Sequence, residues 1–214
     1  MNNVYENNMK FLPFLKFIDK YKKIIIAISV LLILAIAYLV VSNQIEKQNN
    51  EEASIVYSDW LEELSNETPN EENLNIILNK LLKNYKNTGY TKLALLSKAN
   101  FDANINKFEE ALKNFNTLID LTSGYGGNKI FNKIGRVSAA RILLSEDRYA
   151  EALKMIEVYS SSNTNGYIHE LTGDILIKQN KNDLALAQYE LAANKYSDET
   201  SKSIISMKIA NIGS

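Results

Sequence analysis

The chain has 214 residues, enough for one domain with extensions or two small ones, and its 24 basic and 25 acidic side chains leave a formal net charge of −1. That balance lacks the basic patch or stripe of a nucleic-acid binder, and the absence of cysteine excludes disulfides, thiol catalysis and cysteine-ligated metals. With 46% hydrophobic residues and only two prolines, Pro13 and Pro69, the chain can fill a core and run helical over long stretches.

The charge is uneven along the chain. Residues 1–41 hold Lys10, Lys16, Lys20, Lys22 and Lys23 against Glu6 and Asp19, whereas the remainder is net acidic. Phe11, Leu12, Phe14, Leu15, Phe17 and Ile18 alternate with these lysines. They read either as a short amphipathic stretch lying on a membrane surface or as an irregular tail with scattered apolar residues.

Ile24–Val41 follows, an uncharged apolar run with only the hydroxyls of Ser29 and Tyr38. As a helix it is about 27 Å long, close to the roughly 30 Å hydrocarbon core of a bilayer. A helix also satisfies its own backbone polar groups, which lipid cannot do. A buried core helix is a poor fit to such a run beside a basic flank. A cleaved signal is a closer rival, because Ala35-Ile36-Ala37 has the small-x-small form of a cleavage site. The apolar run continues through Tyr38-Leu39-Val40-Val41, however, which would put that site inside the membrane core. The reading is therefore a transmembrane helix. Lysines are retained on the cytoplasmic side, which predicts residues 1–23 as a cytoplasmic tail, 24–41 as the span and 42–214 beyond the membrane. Polar residues 42–52 read as a helical juxtamembrane stalk, and 53–214 as the domain.

The domain carries helical spacing almost throughout. Ala53, Val56, Tyr57, Trp60, Leu61 and Leu64 follow the i, i+3, i+4 rule. Thr68-Pro69-Asn70-Glu71 then predicts a new start, with Thr68 as cap, Pro69 at the first helical position and Glu71 completing a capping box. That helix carries Leu74, Ile77, Leu78, Leu81, Leu82 and Tyr85, and Gly89 marks its end.

Beyond residue 90 a repeat emerges. Ala111, Ala152 and Ala185 are each followed by leucine. Four residues after each alanine stands a large side chain: Phe115, Ile156, Tyr189. Twelve residues before each stands a small one: Ala99, Ala140, Gly173. A small residue in a first helix lets a second helix cross it at short range, and the larger side chain lies one turn on along the same face. The alanines are 41 and 33 residues apart. The second spacing is close to the tetratricopeptide period of 34. The first is lengthened by the loop Ser123-Gly124-Tyr125-Gly126-Gly127-Asn128. The fold class predicted is all-α: a transmembrane helix followed by a tetratricopeptide-repeat-like helical-hairpin solenoid, closed by a cap helix from about Glu199 to Ile212 with a polar outer side.

A search for chemistry finds little. The one histidine, His169, has no second histidine or cysteine with which to make an ordinary zinc site and reads as a surface or groove residue. The Gly124–Gly127 cluster lacks the strand and lysine of a phosphate loop, and no Gly-x-Ser-x-Gly elbow occurs. Glu62-Glu63 and Glu109-Glu110 are adjacent on helices, face apart and read as exposed charges. No catalytic residue, cofactor, metal or small-molecule substrate is expected. What a solenoid offers is a concave surface lined by its first helices. Counted from the small residues, the inward positions are Leu93, Leu96 and Asn100, then Ile134, Val137 and Arg141, then Tyr167, Glu170, Asp174 and Lys178. They predict a mixed apolar and charged groove for a protein or peptide, wherever the N-terminal helices do not cover them.

Over nearly its whole length the chain resembles the ancillary SecYEG translocon subunit family (YfgM-like). The resemblance rests on Tyr5-Glu6-Asn7, the basic-aromatic stretch around Lys16-Phe17 and the single apolar helix. It continues through Ala139-Ala140-Arg141-Ile142-Leu143-Leu144 with Ala150-Glu151-Ala152-Leu153-Lys154, then Gly173-Asp174-Ile175-Leu176 and the closing Met207-Lys208-Ile209. Where the family is acidic between the Tyr-Glu pair and the basic stretch, this chain has Asn8-Met9-Lys10-Phe11-Leu12-Pro13. The resemblance implies a bacterial inner-membrane protein with a periplasmic domain. Its partners would be the SecYEG translocon, a membrane-anchored periplasmic chaperone of the prolyl-isomerase-like type and the lipid bilayer. The function implied is that of a non-enzymatic accessory linking translocon to chaperones during export. The alternative is a membrane-tethered tetratricopeptide scaffold for another cell-envelope assembly complex.

Overall fold

The structure is a computed structural model that describes residues 3–161 and 164–212, with side chains from Pro13 onward. The side chains of Tyr5, Glu6, Asn7, Asn8, Met9, Lys10, Phe11 and Leu12 thus lie outside the described residues. Among the described residues all regular structure is helical: α1 (Asn3–Leu64), α2 (Glu71–Asn84), α3 (Gly89–Asn104), α4 (Phe108–Thr122), α5 (Lys129–Ser145), α6 (Tyr149–Ile156), α7 (Gly166–Lys178), α8 (Asn182–Lys195) and α9 (Glu199–Ile212), with a 3-10 turn at Glu157–Tyr159. The chain divides into two compact units, Met1–Glu52 and Ala53–Ser214.

In the first unit α1 is unbroken. The stretch from Pro13 to Lys23 is therefore neither a separate surface helix nor an irregular tail; it is the same helix as the apolar run. None of the apolar window is buried against protein, which rules out a core helix of this chain. It is a candidate membrane span by length and composition. Residues 42–52 stay helical on local pairs: Lys47 lies 4.0 Å from Glu51, Gln48 donates to Glu52 at 3.0 Å, and the Asn50 amide donates to the Glu46 carbonyl at 2.9 Å.

In the second unit, Ala53, Val56 and Trp60 of α1 are buried with Leu74, Leu78 and Leu81 of α2 and Ala94 and Leu95 of α3. The Trp60 indole N–H donates to Ser97 Oγ at 3.4 Å, while Leu61, on the predicted stripe, is 49% exposed. The start of α2 differs from expectation. Its cap is Asn70, whose side chain accepts from the Asn73 N–H at 3.1 Å. Thr68 stands outside the helix, and the capping-box role falls to Glu63 of α1. Glu63 accepts from the Asn70 N–H at 2.7 Å and the Asn73 side-chain amide at 3.1 Å. The Asn70 N–H in particular holds its carboxyl below the usual range. Gly89 does not end α2; it opens α3, with Thr88 as N-cap.

Helices α3/α4, α5/α6 and α7/α8 form three hairpins, and each pair stacks on the next. The predicted crossings are all buried: Ala99, Ala111 and Phe115; Ala140, Ala152 and Ile156; Gly173, Ala185 and Tyr189. Each hairpin turns on one residue in the left-handed region: Asn106 (φ 60°), Asp147 (φ 59°) and Asn180 (φ 56°). In each turn the next residue's N–H reaches back five residues, from Lys107 to Asp102 and from Arg148 to Leu143 at 2.8 Å, and from Lys181 to Leu176 at 2.9 Å. This is the Schellman end of a helix, with Asn or Asp where glycine is commonest. The loop between the first and second hairpins turns on Gly124 (φ +83°) and Gly126 (φ +79°) and ends at Asn128, which caps α5. Helix α9 buries Ile205 and packs Ile209 and Ile212 on the last core cluster. Its outer side is mixed rather than polar, because Ile204 and Met207 are 40% and 57% exposed among Ser203, Ser206 and Asn211.

Candidate functional site

Three equivalent columns of side chains run across α3, α5 and α7. Six residues before the small crossing residue stand Leu93, Ile134 and Tyr167; three before it, Leu96, Val137 and Glu170; one after it, Asn100, Arg141 and Asp174. The first column is accessible and apolar, with Leu93 and Ile134 each 39% exposed and Tyr167 half-buried. Val137 departs from expectation. It is 6% exposed, packed in the central core cluster with Ala99, Ala140 and Leu143, and it offers nothing to a partner.

At the α3 end, Leu93, Leu96 and Asn100 line an open groove of about 440 Å³, together with Tyr57 and Leu64 of α1 and Phe101 of α3. Its walls are largely apolar, with the polar ends of Ser97, Asn100 and Asn104 at the margin. This geometry suits an apolar side chain flanked by a backbone that needs hydrogen-bond partners. The contribution of α1 was invisible in the spacing of α3, although Tyr57 and Leu64 belong to the apolar stripe read from the sequence.

At the α7 end the polar positions are occupied by the protein itself. The Lys208 ammonium of α9 donates to Glu170 Oε1 at 2.7 Å and to Asp174 Oδ1 and Oδ2 at 2.7 and 2.8 Å. The Tyr196 hydroxyl donates to Glu170 at 2.5 Å, and that of Tyr189 to Asp174 at 2.7 Å. Burial pushes the Glu170 carboxyl up, but Lys208 and Tyr196 outweigh it, with Arg141 assisting, and leave it below the ordinary carboxylate value. Burial and then the Asp174 carboxylate raise the Tyr189 phenol; burial and then Glu170 do the same for Tyr196. Glu170 and Asp174, read as groove contacts, thus join α7 to α8 and α9. Lys178 is exposed at the end of α7, and Arg141 is exposed between the two regions. Lys133, one residue before Ile134, lies over the rings of Tyr159 and Tyr167 at 5.4 and 5.2 Å and donates to Asn165 at 2.5 Å. These contacts fix Tyr167 from behind.

The Lys208 cluster has a pH signature. A carboxyl held below its ordinary value of 4.5 stabilises the fold fully above that value, and the contribution is lost as pH falls through the depressed one. Lys208→Met is expected to melt at a lower temperature than the parent at neutral pH, with the gap narrowing as pH falls from about 6 to about 3. Thermal melts followed by circular dichroism check this.

His169 is neither on the surface nor in the groove. It is 1% exposed on α7, with Nδ1 at 2.8 Å from Gln188 Oε1 of α8 and Nε2 without a hydrogen-bond partner. Its apolar neighbours Ile168 and Leu171 gave the only hint of burial. Sequence reading also missed a buried ion pair. Lys98 and Asp102, 2% and 0% exposed, bond to one another one turn apart on α3. The Asn114 side-chain amide of α4 donates to the second Asp102 oxygen at 2.9 Å. Lys98 also approaches Glu71 to 4.0 Å, and Lys107 bonds to Glu71 at 2.5 Å. These residues tie α2, α3 and α4 together behind the groove. Among the described residues no group of three metal-ligating side chains converges.

A model of the tetratricopeptide repeat-like domain family matches residues 16–214. Among solved structures, one described as "MamA RS-1 ArsTM double mutant" aligns with a TM-score of 0.52 at 14% identity, covering 75% of this chain and 94% of that one. At that identity the likeness is one of fold. No curated protein matches the chain.

Proposed function

Because the chain belongs to the tetratricopeptide repeat-like domain family, we propose that it is a membrane-held, non-catalytic scaffold that binds protein partners on the first-helix face. We further propose that its partners are the SecYEG translocon and a membrane-anchored periplasmic chaperone of the prolyl-isomerase-like type, which it links during protein export. The observation that carries the binding reading is the accessible column Leu93–Ile134–Tyr167 beside the groove of Tyr57, Leu64, Leu96 and Phe101. Apolar side chains exposed in register along one face suit an extended or helical segment with apolar anchors. The translocon reading rests on the resemblance of the N-terminal, central and C-terminal motifs to the YfgM-like family. The membrane and periplasmic placement rests on the apolar helix with lysines on its N-terminal side.

The test is crosslinking in native membranes, purification of the full chain in mild detergent and mass spectrometry of what accompanies it. SecYEG with a periplasmic chaperone supports the translocon reading. A different envelope complex, with translocon subunits at background, keeps the scaffold and transfers it to the second reading. The double variant Leu93→Asp/Ile134→Asp is expected to reduce partner recovery about tenfold or more, as truncating two interface anchors does. Both side chains are more than half covered, so a melting temperature several degrees lower is expected alongside, and circular dichroism at the assay temperature checks that the variant is folded. Undiminished recovery would place the contact elsewhere.

A further inference from the structure

The unbroken N-terminal helix sorts the basic flank into two faces. A helix turns about 100° per residue, so Lys16, Lys20 and Lys23 fall within an arc of about 60°. All three are exposed. Lys22 points elsewhere and is paired with Asp19 at 3.0 Å. On the side away from the stripe lie Phe14, Phe17, Ile18 and Tyr21, with the Phe17 and Tyr21 rings 4.8 Å apart. The Lys20 ammonium lies over the Tyr21 ring at 5.2 Å, on the aromatic edge of the stripe. The stripe ends directly before Ile24 and begins about 12 Å from it along the axis. With the apolar run in hydrocarbon, the three ammonium groups stand within side-chain reach of the lipid phosphates.

We propose that Lys16, Lys20 and Lys23 form a binding stripe for anionic phospholipid headgroups, giving the anchor a preference for anionic over zwitterionic lipid. The proposal rests on the reading of residues 24–41 as a membrane span. Charge complementarity selects the occupant. Among the described residues none of the three cations holds an ion pair, and Asp19, at the edge of their face, is engaged by Lys22. A neutral headgroup carries both charges and gains little from such a stripe, whereas phosphatidylglycerol leaves its phosphate charge for the lysines.

The experiment uses the full chain in phosphatidylcholine vesicles containing a trace of spin-labelled phosphatidylglycerol or spin-labelled phosphatidylcholine. Flotation with the neutral vesicles reports the span by itself. The motionally restricted fraction of each labelled lipid reports the stripe. The expected result is association of phosphatidylglycerol about fivefold or more above phosphatidylcholine at low salt, declining as salt is added. In Lys16→Gln/Lys20→Gln/Lys23→Gln the ratio is expected to fall close to one while flotation is unchanged. A ratio of one in the parent, or an excess that survives in the triple variant, overturns the stripe and leaves the span intact. A chain that fails to float with neutral vesicles overturns the span, and the stripe with it.

Discussion

Asp102→Ala is expected to lower the melting temperature of the chain by about 6–20 °C. Removing one partner of a buried pair costs about 3–5 kcal/mol, and in a domain of this size each kcal/mol corresponds to about 2–4 °C. The cause lies in what remains. Lys98 is 2% exposed, and without Asp102 its nearest carboxylate oxygen is that of Glu71 at 4.0 Å. The Asn114 amide loses its acceptor as well. The control is a double variant. Lys98→Met/Asp102→Leu removes both charges, keeps most of the volume and is expected to recover most of the loss. A single variant that melts like the parent would show that the pair is hydrated in solution. A double variant no better than the single would assign the loss to packing rather than to an orphaned charge.

Gly173→Ala is the second large effect, and its sign runs against helix propensity. Alanine is the better helix former by about 1 kcal/mol. A Cβ at position 173 would nevertheless lie 2.4 Å from Tyr189 Cε1 and 2.6 Å from Cδ1. The ring cannot swing away freely, because its hydroxyl donates to Asp174 at 2.7 Å and the residue is 3% exposed. Overpacking of this kind typically costs about 1–3 kcal/mol and occasionally more. The net expectation is a destabilised last hairpin, with a melting temperature several degrees lower. Gly173→Ala/Tyr189→Leu restores room for the methyl group and should regain part of it. Stabilisation by Gly173→Ala alone would mean that α7 and α8 are farther apart in solution. The other two crossings already hold a Cβ at Ala99 and Ala140, in a core cluster with Phe115 and Ile156 rather than a tethered phenol.

Most of the architecture was legible because it depends on spacing. The apolar run, the crossings of small and large residues and the glycine loop are each carried by side-chain size at fixed intervals, and folding leaves those intervals unchanged. The turns were less legible. Asn106, Asp147 and Asn180 precede the three alanines by five residues each, but asparagine and aspartate are common in both caps and loops, so the left-handed backbone at these positions did not stand out. Polar groups that find partners across helices were the least legible. Glu63 reads as a surface charge until α2 begins beside it, and nothing in the spacing of α3 marks Lys98 and Asp102 as a pair that α4 closes over. For the same reason the exposure of α3 positions is easier to read from the sequence than that of α7 positions. Leu93 and Leu96 need only their own helix to be placed, whereas the availability of Glu170 and Asp174 depends on Lys208, more than thirty residues away.

The three hairpins keep an identical distance between first-helix small residue and second-helix alanine, while the connection between successive hairpins varies in length. The difference lies in the flanking helices as well as in the joints: α4 and α5 run 15 and 17 residues, α6 and α7 only 8 and 13, and no crossing is disturbed by either. Tyr125, fully exposed between two positive-φ glycines in the joint of the first and second hairpins, marks a place where a fluorophore, an affinity tag or a small reporter domain can be spliced in. An insertion there leaves every interhelical crossing and the groove residues of α3 untouched, so the position of the domain could be followed in living cells without blocking the face assigned to its partners.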